Sequence, residues 1–278
     1  MDRPQATEPA PAFRIGLIGS GRAVHSLQTA LRALKPMHAV ARLSENTLEL
    51  PDERLAAWMR TLDVVFIATP PAERFRVTEI ALREGVHCFV AWPPAPALRD
   101  LERLNRLAEE ARVEVGVSRP LRFHPALESV WEQTPPTLLV YRQQVGGQGV
   151  VPWHARLAEV VDLCCALAHS SSVLRIEGEA VRGGPTWLEA IAFGLRFHSG
   201  TYAQVLMWRN GETSTPELYL ARTGWHRRLQ LEAAGDDLIQ AEVRAFLKAL
   251  AARQPAPVSL LETLQVLRIV ERLMSRLR

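Results

Sequence analysis

The sequence predicts an α/β protein: an N-terminal doubly wound parallel sheet, followed by a C-terminal α+β domain with an open-faced antiparallel sheet. Three observations predict it. Between residues 13 and 117, short apolar runs alternate with segments of helical spacing, the pattern of successive βαβ units. The run Val64 to Ala68 is apolar without interruption, as a strand buried on both faces requires. Further on, Ile191, Phe193, Leu195 and Phe197 alternate with Ala192, Gly194, Arg196 and His198, so one face of that strand meets a core and the other does not.

Each element has its own signal. Arg14 to Gly19 is a short apolar strand that runs into Gly19-Ser-Gly21, and Arg22 to Leu34 carries helical spacing at Leu27, Leu31 and Leu34. Met37 to Leu43 is the second strand, Leu55 to Met59 a short helix, and Val64 to Ala68 the third strand, stopped by Thr69-Pro70-Pro71. Glu73 to Glu84 is helical and Gly85 is suited to end it; Val86 to Ala91 returns to strand. A leucine stripe marks a helix over residues 97–112, and Val113 to Val117 is the last strand of the first domain, which spans residues 13–120. In the second domain, residues 121–278, Leu138 to Gln143 and Val173 to Ala180 are extended. Tyr202 to Trp208, the Asn210-Gly211 dipeptide and Glu217 to Thr223 predict a hairpin, and Arg227 to Glu232 adds a strand. Pro152 to Ala168 and Asp237 to Ala252 are helices, and a closing helix covers residues 259–277.

Composition excludes several classes of function. At 47% hydrophobic and 23% charged, the 278 residues have globular composition with ample core material. No apolar stretch approaches the roughly 20 residues that span a bilayer. Residues 1–12, rich in Pro and Ala, lack the apolar region of a secretion signal and read as a disordered lead-in, so the expected location is cytoplasmic. The net charge of +3 comes almost wholly from arginine, since Lys35 and Lys248 are the two lysines. These arginines are interleaved with Asp and Glu rather than gathered in a patch, which argues against nucleic acid as partner. Cys88, Cys164 and Cys165 have neither disulfide nor zinc spacing, and no metal site is expected.

A strand that ends in Gly19-Ser20-Gly21 and opens a helix can receive a pyrophosphate. Gly19 permits the turn, Gly21 permits close approach, and the first N–H groups of the helix, at Arg22 and Ala23, point to the anion. The third small residue of that fingerprint is replaced by Val24, which should push the helix slightly off the strand.

Taken together, Gly16-Leu-Ile-Gly-Ser-Gly21, Leu62-Asp-Val-Val-Phe-Ile-Ala-Thr-Pro-Pro71, Ala81-Leu-Arg-Glu-Gly-Val-His-Cys-Phe-Val90, Trp92-Pro93, Arg122-Phe-His-Pro125 and Pro255-Ala-Pro-Val-Ser259 resemble, in order and spacing, the glucose-fructose oxidoreductase and inositol dehydrogenase family (Gfo/Idh/MocA). The resemblance covers nearly the whole chain from Phe13. It implies a Rossmann domain for NAD(H) or NADP(H), a substrate domain acting on a small molecule, and homo-oligomers built through the open sheet. It also implies that Thr69, Pro70, Pro71, Arg74, Trp92 and Pro93 join the glycine turn in the cofactor site.

The departures from the family are specific. The family's Glu-Lys-Pro motif, whose lysine assists proton transfer at the nicotinamide, reads Ala91-Trp92-Pro93 here. The pattern Asp-x-Gly-x-His-x-x-Asp, aligned on Asp162, holds Ala155, Leu157 and Glu159 in its first three marked positions. The family's Thr-Pro-x-x-x-His histidine falls at Arg74. The acidic residue that would bind the adenosine ribose falls at Arg42, or at Glu45 if the alignment slips. An arginine at that place suits a 2′-phosphate, hence NADP(H) over NAD(H); it is also what a surface arginine looks like in an arginine-rich chain.

His154, at a predicted helix N-terminus, is either a substitute acid/base acting with Glu159 and Asp162 or a capping residue. Trp92 is either a wall of the cofactor cleft or a core tryptophan. His124 reads as a hinge or packing residue, and Tyr141, Tyr202 and Tyr219 as sheet packing. Two functions follow: an NAD(P)-dependent oxidoreductase whose substrate does not need the lysine, or a catalytically inactive dinucleotide-binding protein acting as sensor or partner subunit.

Overall fold

The computed structural model describes residues 13–34, 39–43, 50–146, 153–184, 187–209, 211–232 and 235–277, with 39–43, 187 and 235 as backbone. In chain order the elements are β1 (Arg14–Gly19), α1 (Gly21–Ala33), β2 (Ala39–Leu43), α2 (Asp52–Met59), β3 (Val64–Ala68), α3 (Pro71–Arg83), β4 (His87–Val90), α4 (Leu98–Ala111) and β5 (Val115–Val117). Two 3₁₀ turns, Pro120–Phe123 and Pro125–Leu127, lead to α5 (Glu128–Trp131), β6 (Leu138–Val145), α6 (Trp153–Leu167), β7 (Val173–Gly184), β8 (Trp187–Phe197), β9 (Tyr202–Arg209), β10 (Glu217–Arg222) and β11 (Trp225–Gln230). The chain closes with α7 (Gly235–Ala251) and α8 (Leu260–Arg276).

The packing divides the chain into two units. The first comprises residues up to Ser118 together with Ile239–Leu260, the second Arg119–Leu238 and Leu261–Arg278. The reading of residues 121–278 as one domain is therefore corrected for 239–260. Most of α7 and the turn after it belong to the first unit, where Phe246 packs with Phe66 of β3 and Phe89 of β4 at ring-centroid distances of 6.2 and 5.3 Å. Room for it comes from Gly116, where a Cβ would lie 2.8 Å from the Phe246 ring. The returning segment is also hydrogen-bonded to the edge of the sheet: Ser118 Oγ donates to Glu242 at 2.8 Å, Val117 N to the Val258 carbonyl at 2.9 Å, and Ala256 N to the Glu114 carboxylate at 2.8 Å.

The first unit holds a parallel sheet in the order β2-β1-β3-β4-β5. The order reverses between β1 and β3, and in open α/β sheets ligands bind at such a switch point, beyond the carboxyl ends of the strands. Val64 to Ala68 is buried at every position, as a central parallel strand should be. Val24 is buried in one apolar cluster with Ile15, Leu17, Phe66 and Ala68.

The second unit holds a six-stranded sheet in the order β11-β10-β6-β9-β8-β7. Two expectations are corrected there. The sheet is mixed, because β6 and β9 run parallel. The predicted hairpin across Asn210-Gly211 does not form, because β6 lies between β9 and β10 and pairs with both. Asn210 lies outside the described residues; Gly211 has φ +55°, so the chain does turn there. It turns over the end of β6, with Ser214 N donating to the Gln144 carbonyl at 3.0 Å and Gly146 N to Thr213 Oγ1 at 2.9 Å. An Asn-Gly signal reports a local turn and cannot register that an earlier strand takes the pairing edge. Ile191, Phe193, Leu195 and Phe197 are buried and Ala192, Arg196 and His198 exposed, as the alternation predicts. Gly194 on the second face is buried as well, beside the Tyr202 ring, whose hydroxyl a Cβ there would approach to 2.4 Å.

Candidate dinucleotide site

The β1–α1 turn needs its glycines for two different reasons. Gly19 has φ +129°, and a Cβ there would lie 2.3 Å from the Ala68 carbonyl oxygen and 2.7 Å from Thr69 N, so the ends of β1 and β3 approach too closely for any side chain. Gly21 has φ +75°, but a Cβ there would meet nothing within 4 Å. It would project into open space above the first turn of α1. Ser20 is the N-cap residue with extended backbone and makes no side-chain cap, and no acidic residue lies in the first turn of α1. Arg22 and Ala23 are exposed there. An uncapped helix start with positive dipole and open space above it fits an anionic diphosphate.

A second group of residues lies at the carboxyl ends of β3 and β4. Thr69 is buried, Pro70 is the N-cap residue of α3 and Pro71 its first residue, both exposed. Arg74, one turn into α3, is 5% exposed and points into the protein. Its Nη1 donates to the carbonyls of Ala91 at 3.1 Å and Pro93 at 2.6 Å, and its Nη2 to the carbonyl of Thr69. Arg74 thus ties together the loops that follow β3 and β4. Trp92 and Pro93, joined by a cis peptide bond, are half-buried between those anchor points. Burial pushes the Arg74 pKa down to about 10, so the guanidinium stays charged at neutral pH.

The backbone of Arg42 lies near the end of β2, in register with Leu17 of β1. Its side chain, and Glu45 altogether, lie outside the described residues.

In the second unit the three residues read as acid/base candidates take separate roles on α6. His154 is exposed in the first turn. Glu159 is half-exposed and pairs with Arg156 at 3.5 Å, one turn earlier on the same helix. Asp162 is 1% exposed and accepts two hydrogen bonds from Arg122, from Nε and Nη2, each at 2.7 Å. Arg119 approaches the same carboxylate at 3.8 Å. Eight residues of helix separate His154 from Asp162, a rise of about 12 Å, so no cluster of the three forms. Among the described residues no group of three or more His, Cys, Asp or Glu could hold a metal ion.

The role of Arg122 went unread in the sequence, although the residue stands in the quoted Arg-Phe-His-Pro motif. Burial alone would lower its pKa, but Asp162 and then Glu262, at 3.4 Å, outweigh that effect and raise it. His124 is a packing residue: its Nδ1 accepts from Ala126 N at 3.1 Å, so its Nε2 is the donor to the Glu232 carbonyl at 2.8 Å. Tyr141 is buried with its hydroxyl donating to Gln143 at 2.9 Å, and burial pushes its pKa up. The three cysteines are buried, and burial raises their pKa values, which leaves them inert.

Comparison with known proteins agrees with this geometry. Residues 13–119 match the model of an oxidoreductase family with the NAD-binding Rossmann fold, GFO_IDH_MocA. UDP-N-acetylglucosamine 3-dehydrogenase of Acidithiobacillus ferrooxidans is 31% identical over 72 residues, a stretch that spans 26% of this chain and 23% of that relative. The crystal structure of that enzyme has a TM-score of 0.77 at 18% identity, over 96% of this chain and 98% of the other. A probable dehydrogenase from Thermotoga maritima gives 0.78 at 14% identity, over 95% and 96% of the two chains. An oxidoreductase from Agrobacterium radiobacter, in complex with NAD+, L-tartaric acid and magnesium, gives 0.76 at 15%, over 95% and 96%. Residues 13–119, which carry the glycine turn and the switch point, thus match an oxidoreductase family with the NAD-binding Rossmann fold, and the likeness of the whole chain to the solved structures is one of fold.

Proposed function

We propose that the protein is an oxidoreductase that binds NADP(H) in preference to NAD(H) and transfers hydride to or from a small molecule without the family lysine. The observation that carries this reading is the β1–α1 turn, in which Gly19 is irreplaceable for packing and Gly21 leaves open space over an uncapped helix start. The dinucleotide, when bound, supplies the hydride chemistry. Gly19, Ser20, Gly21, Arg22 and Ala23 would hold its pyrophosphate, Thr69, Pro70, Pro71, Trp92 and Pro93 would line its path, and Arg42 would take the 2′-phosphate. With Trp92 at the lysine position, an imine or a conjugated system is the favoured acceptor class, because such a substrate can take its proton from water or from an exposed group such as His154. The test is calorimetry with NADPH and NADH. NADPH should bind more tightly, and Arg42→Asp should narrow or reverse the gap. Equal affinities would remove Arg42 from the reading, and no binding of either at millimolar concentration would remove the cofactor.

One observation favours the inactive alternative: Asp162, the acidic residue of the α6 pattern that remains, is held at both oxygens by Arg122. On that reading NADPH binds but no imine, enone, inositol or UDP-N-acetylglucosamine is turned over, and a pull-down recovers a stoichiometric protein partner.

Self-association through the outer face of the second sheet is part of the proposal. Leu138 on β6, Leu206 on β9 and Val181 on β7 share that face and are 40%, 36% and 57% exposed. Apolar groups clustered on an open sheet face suit a second copy of the same surface. Light scattering at micromolar concentration should give a dimer or larger, and Leu206→Lys should shift it toward monomer; a monomeric wild-type chain would refute this.

A further inference from the structure

Arg74 is a buried cation whose hydrogen-bond partners are all neutral. Three backbone carbonyls receive its Nη atoms, no carboxylate is among its partners, and its Nε is buried without a hydrogen-bond partner. Two other polar atoms close to it in sequence, Thr69 Oγ1 and Glu73 Oε2, are likewise buried without a hydrogen-bond partner. Burying a charge without a counter-ion is costly. Holding the loops after β3 and β4 together does not require it, since neutral donors can bridge carbonyls.

The position of the charge gives it a use. The glycine turn follows β1, and the residue that reads the adenosine ribose in such folds stands at the end of β2. The strand order β2-β1-β3-β4-β5 therefore puts the adenosine half on the β2 side of the turn and directs the other half toward β3 and β4. Arg74 is anchored to both of the loops that end those strands.

We propose that Arg74 sets the charge preference of the dinucleotide site, which binds the reduced dinucleotide, with its neutral nicotinamide, more tightly than the oxidised one, whose ring is cationic. This rests on the dinucleotide-binding reading above. Attraction of Arg74 for the phosphates is common to both forms and cancels in the ratio of their affinities. What survives is repulsion between two like charges in a site of low effective dielectric, worth on the order of tenfold in that ratio. A tenfold preference raises the midpoint potential of the bound two-electron couple by about 30 mV. Arg74 is in this sense a positioning residue for charge as well as for backbone.

The experiment is calorimetric titration of the full chain with NADP+ and with NADPH, for the wild type, Arg74→Lys, Arg74→Gln and Arg74→Met. The wild type should bind NADPH about tenfold more tightly. Arg74→Lys keeps the charge and loses the fork, so both affinities should fall together with the ratio retained. Arg74→Gln and Arg74→Met remove the charge, and the ratio should fall to within a few-fold of unity in whichever of them folds. A ratio unchanged in the uncharged variants would show a merely structural clamp and overturn the proposal. Should neither uncharged variant fold, a wild-type ratio at or below unity would overturn it. Failure of the wild type to bind either form would instead sink the dinucleotide reading itself, and the two failures are distinguishable.

Discussion

Substituting the two glycines of the β1–α1 turn separately tests fold and function apart. In Gly21→Ala the new methyl meets nothing within 4 Å, so the cost to stability is that of holding an alanine at φ +75°, about 1–2 kcal/mol. At roughly 2–4 °C per kcal/mol for a protein of this size class, the melting temperature should drop by about 2–8 °C. The same methyl stands in the open space over the helix start, where a pyrophosphate would reach the backbone N–H groups. Hydrogen bonds to a charged group are worth about 1.5–3 kcal/mol, so loss of one should weaken NADPH binding about ten- to a hundredfold. Gly19→Ala should behave in the opposite way. Its methyl would lie 2.3 Å from a carbonyl oxygen and 2.4 Å from the carbonyl carbon of Ala68, both backbone atoms at the end of a fully buried strand. Neither can move without opening the β1–β3 pairing, and the cost should exceed about 3 kcal/mol. Circular dichroism melting and calorimetric NADPH titration on the two variants decide the matter. A Gly21→Ala protein that binds NADPH within twofold of the wild type would show that the turn is not the pyrophosphate site, and a Gly19→Ala protein as stable as the wild type would refute the packing argument.

Two further outcomes are expected. Asp162→Asn leaves the buried Arg122 with the partly exposed Glu262, at 3.4 Å, as its remaining counter-charge and should cost toward the lower end of about 3–5 kcal/mol in urea unfolding, whereas Asp162→Leu combined with Arg122→Met should recover much of that; a single-variant loss below about 1 kcal/mol would contradict the ion-pair reading. Burial lowers the His87 pKa below 6.5, against the opposing pull of Glu114 and Asp63, and Nδ1 accepts from Glu114 N at 2.9 Å. The folded state therefore favours the neutral ring, so this contribution is fully present above pH 6.5 and is lost as pH falls through the lower folded-state value. Melting followed from pH 8 to 5 should show a decline that His87→Gln reduces; identical pH profiles for the two proteins would count against it.

Where local chemistry dictates an element, the sequence is legible. The bounds of β3 follow from an unbroken apolar run closed by Thr69-Pro70-Pro71, and the glycine turn from one position that has no room for a Cβ, Gly19, and one at positive φ, Gly21. Pairing partners are a different matter. Nothing in residues 202–223 records that β6, some sixty residues earlier, lies between the two strands the Asn-Gly signal would join. Nor does the amphipathic pattern of α7 say which core it enters; that is decided by the vacancy over Gly116 and by Ser118 and Glu114 at the sheet edge. The roles of Arg74 and Arg122 were hidden for a similar reason. One is defined by backbone carbonyls from two separate loops, the other by a carboxylate forty residues away, and neither leaves a trace in spacing.

The replacements along α6 follow a physical order. Leu157, at the position where the family pattern has glycine, is fully buried. A leucine in a helix interior is favoured over glycine by close to 1 kcal/mol in propensity alone, before the burial of its side chain is counted. Glu159, at the histidine position, has turned to a surface ion pair with Arg156, the kind of exposed contact worth little to the fold. Neither change burdens the fold, since Leu157 adds apolar burial and Glu159 stays at the surface. Asp162 is different: any neutral residue there would remove both 2.7 Å bonds from the buried Arg122 guanidinium and leave it the longer contact with Glu262. The acidic residue retained is thus the one whose loss the fold could not absorb. Retention of Asp162 is therefore no evidence for acid/base catalysis at α6, and a hydride-transfer function for this chain has to draw its proton from outside the old pattern.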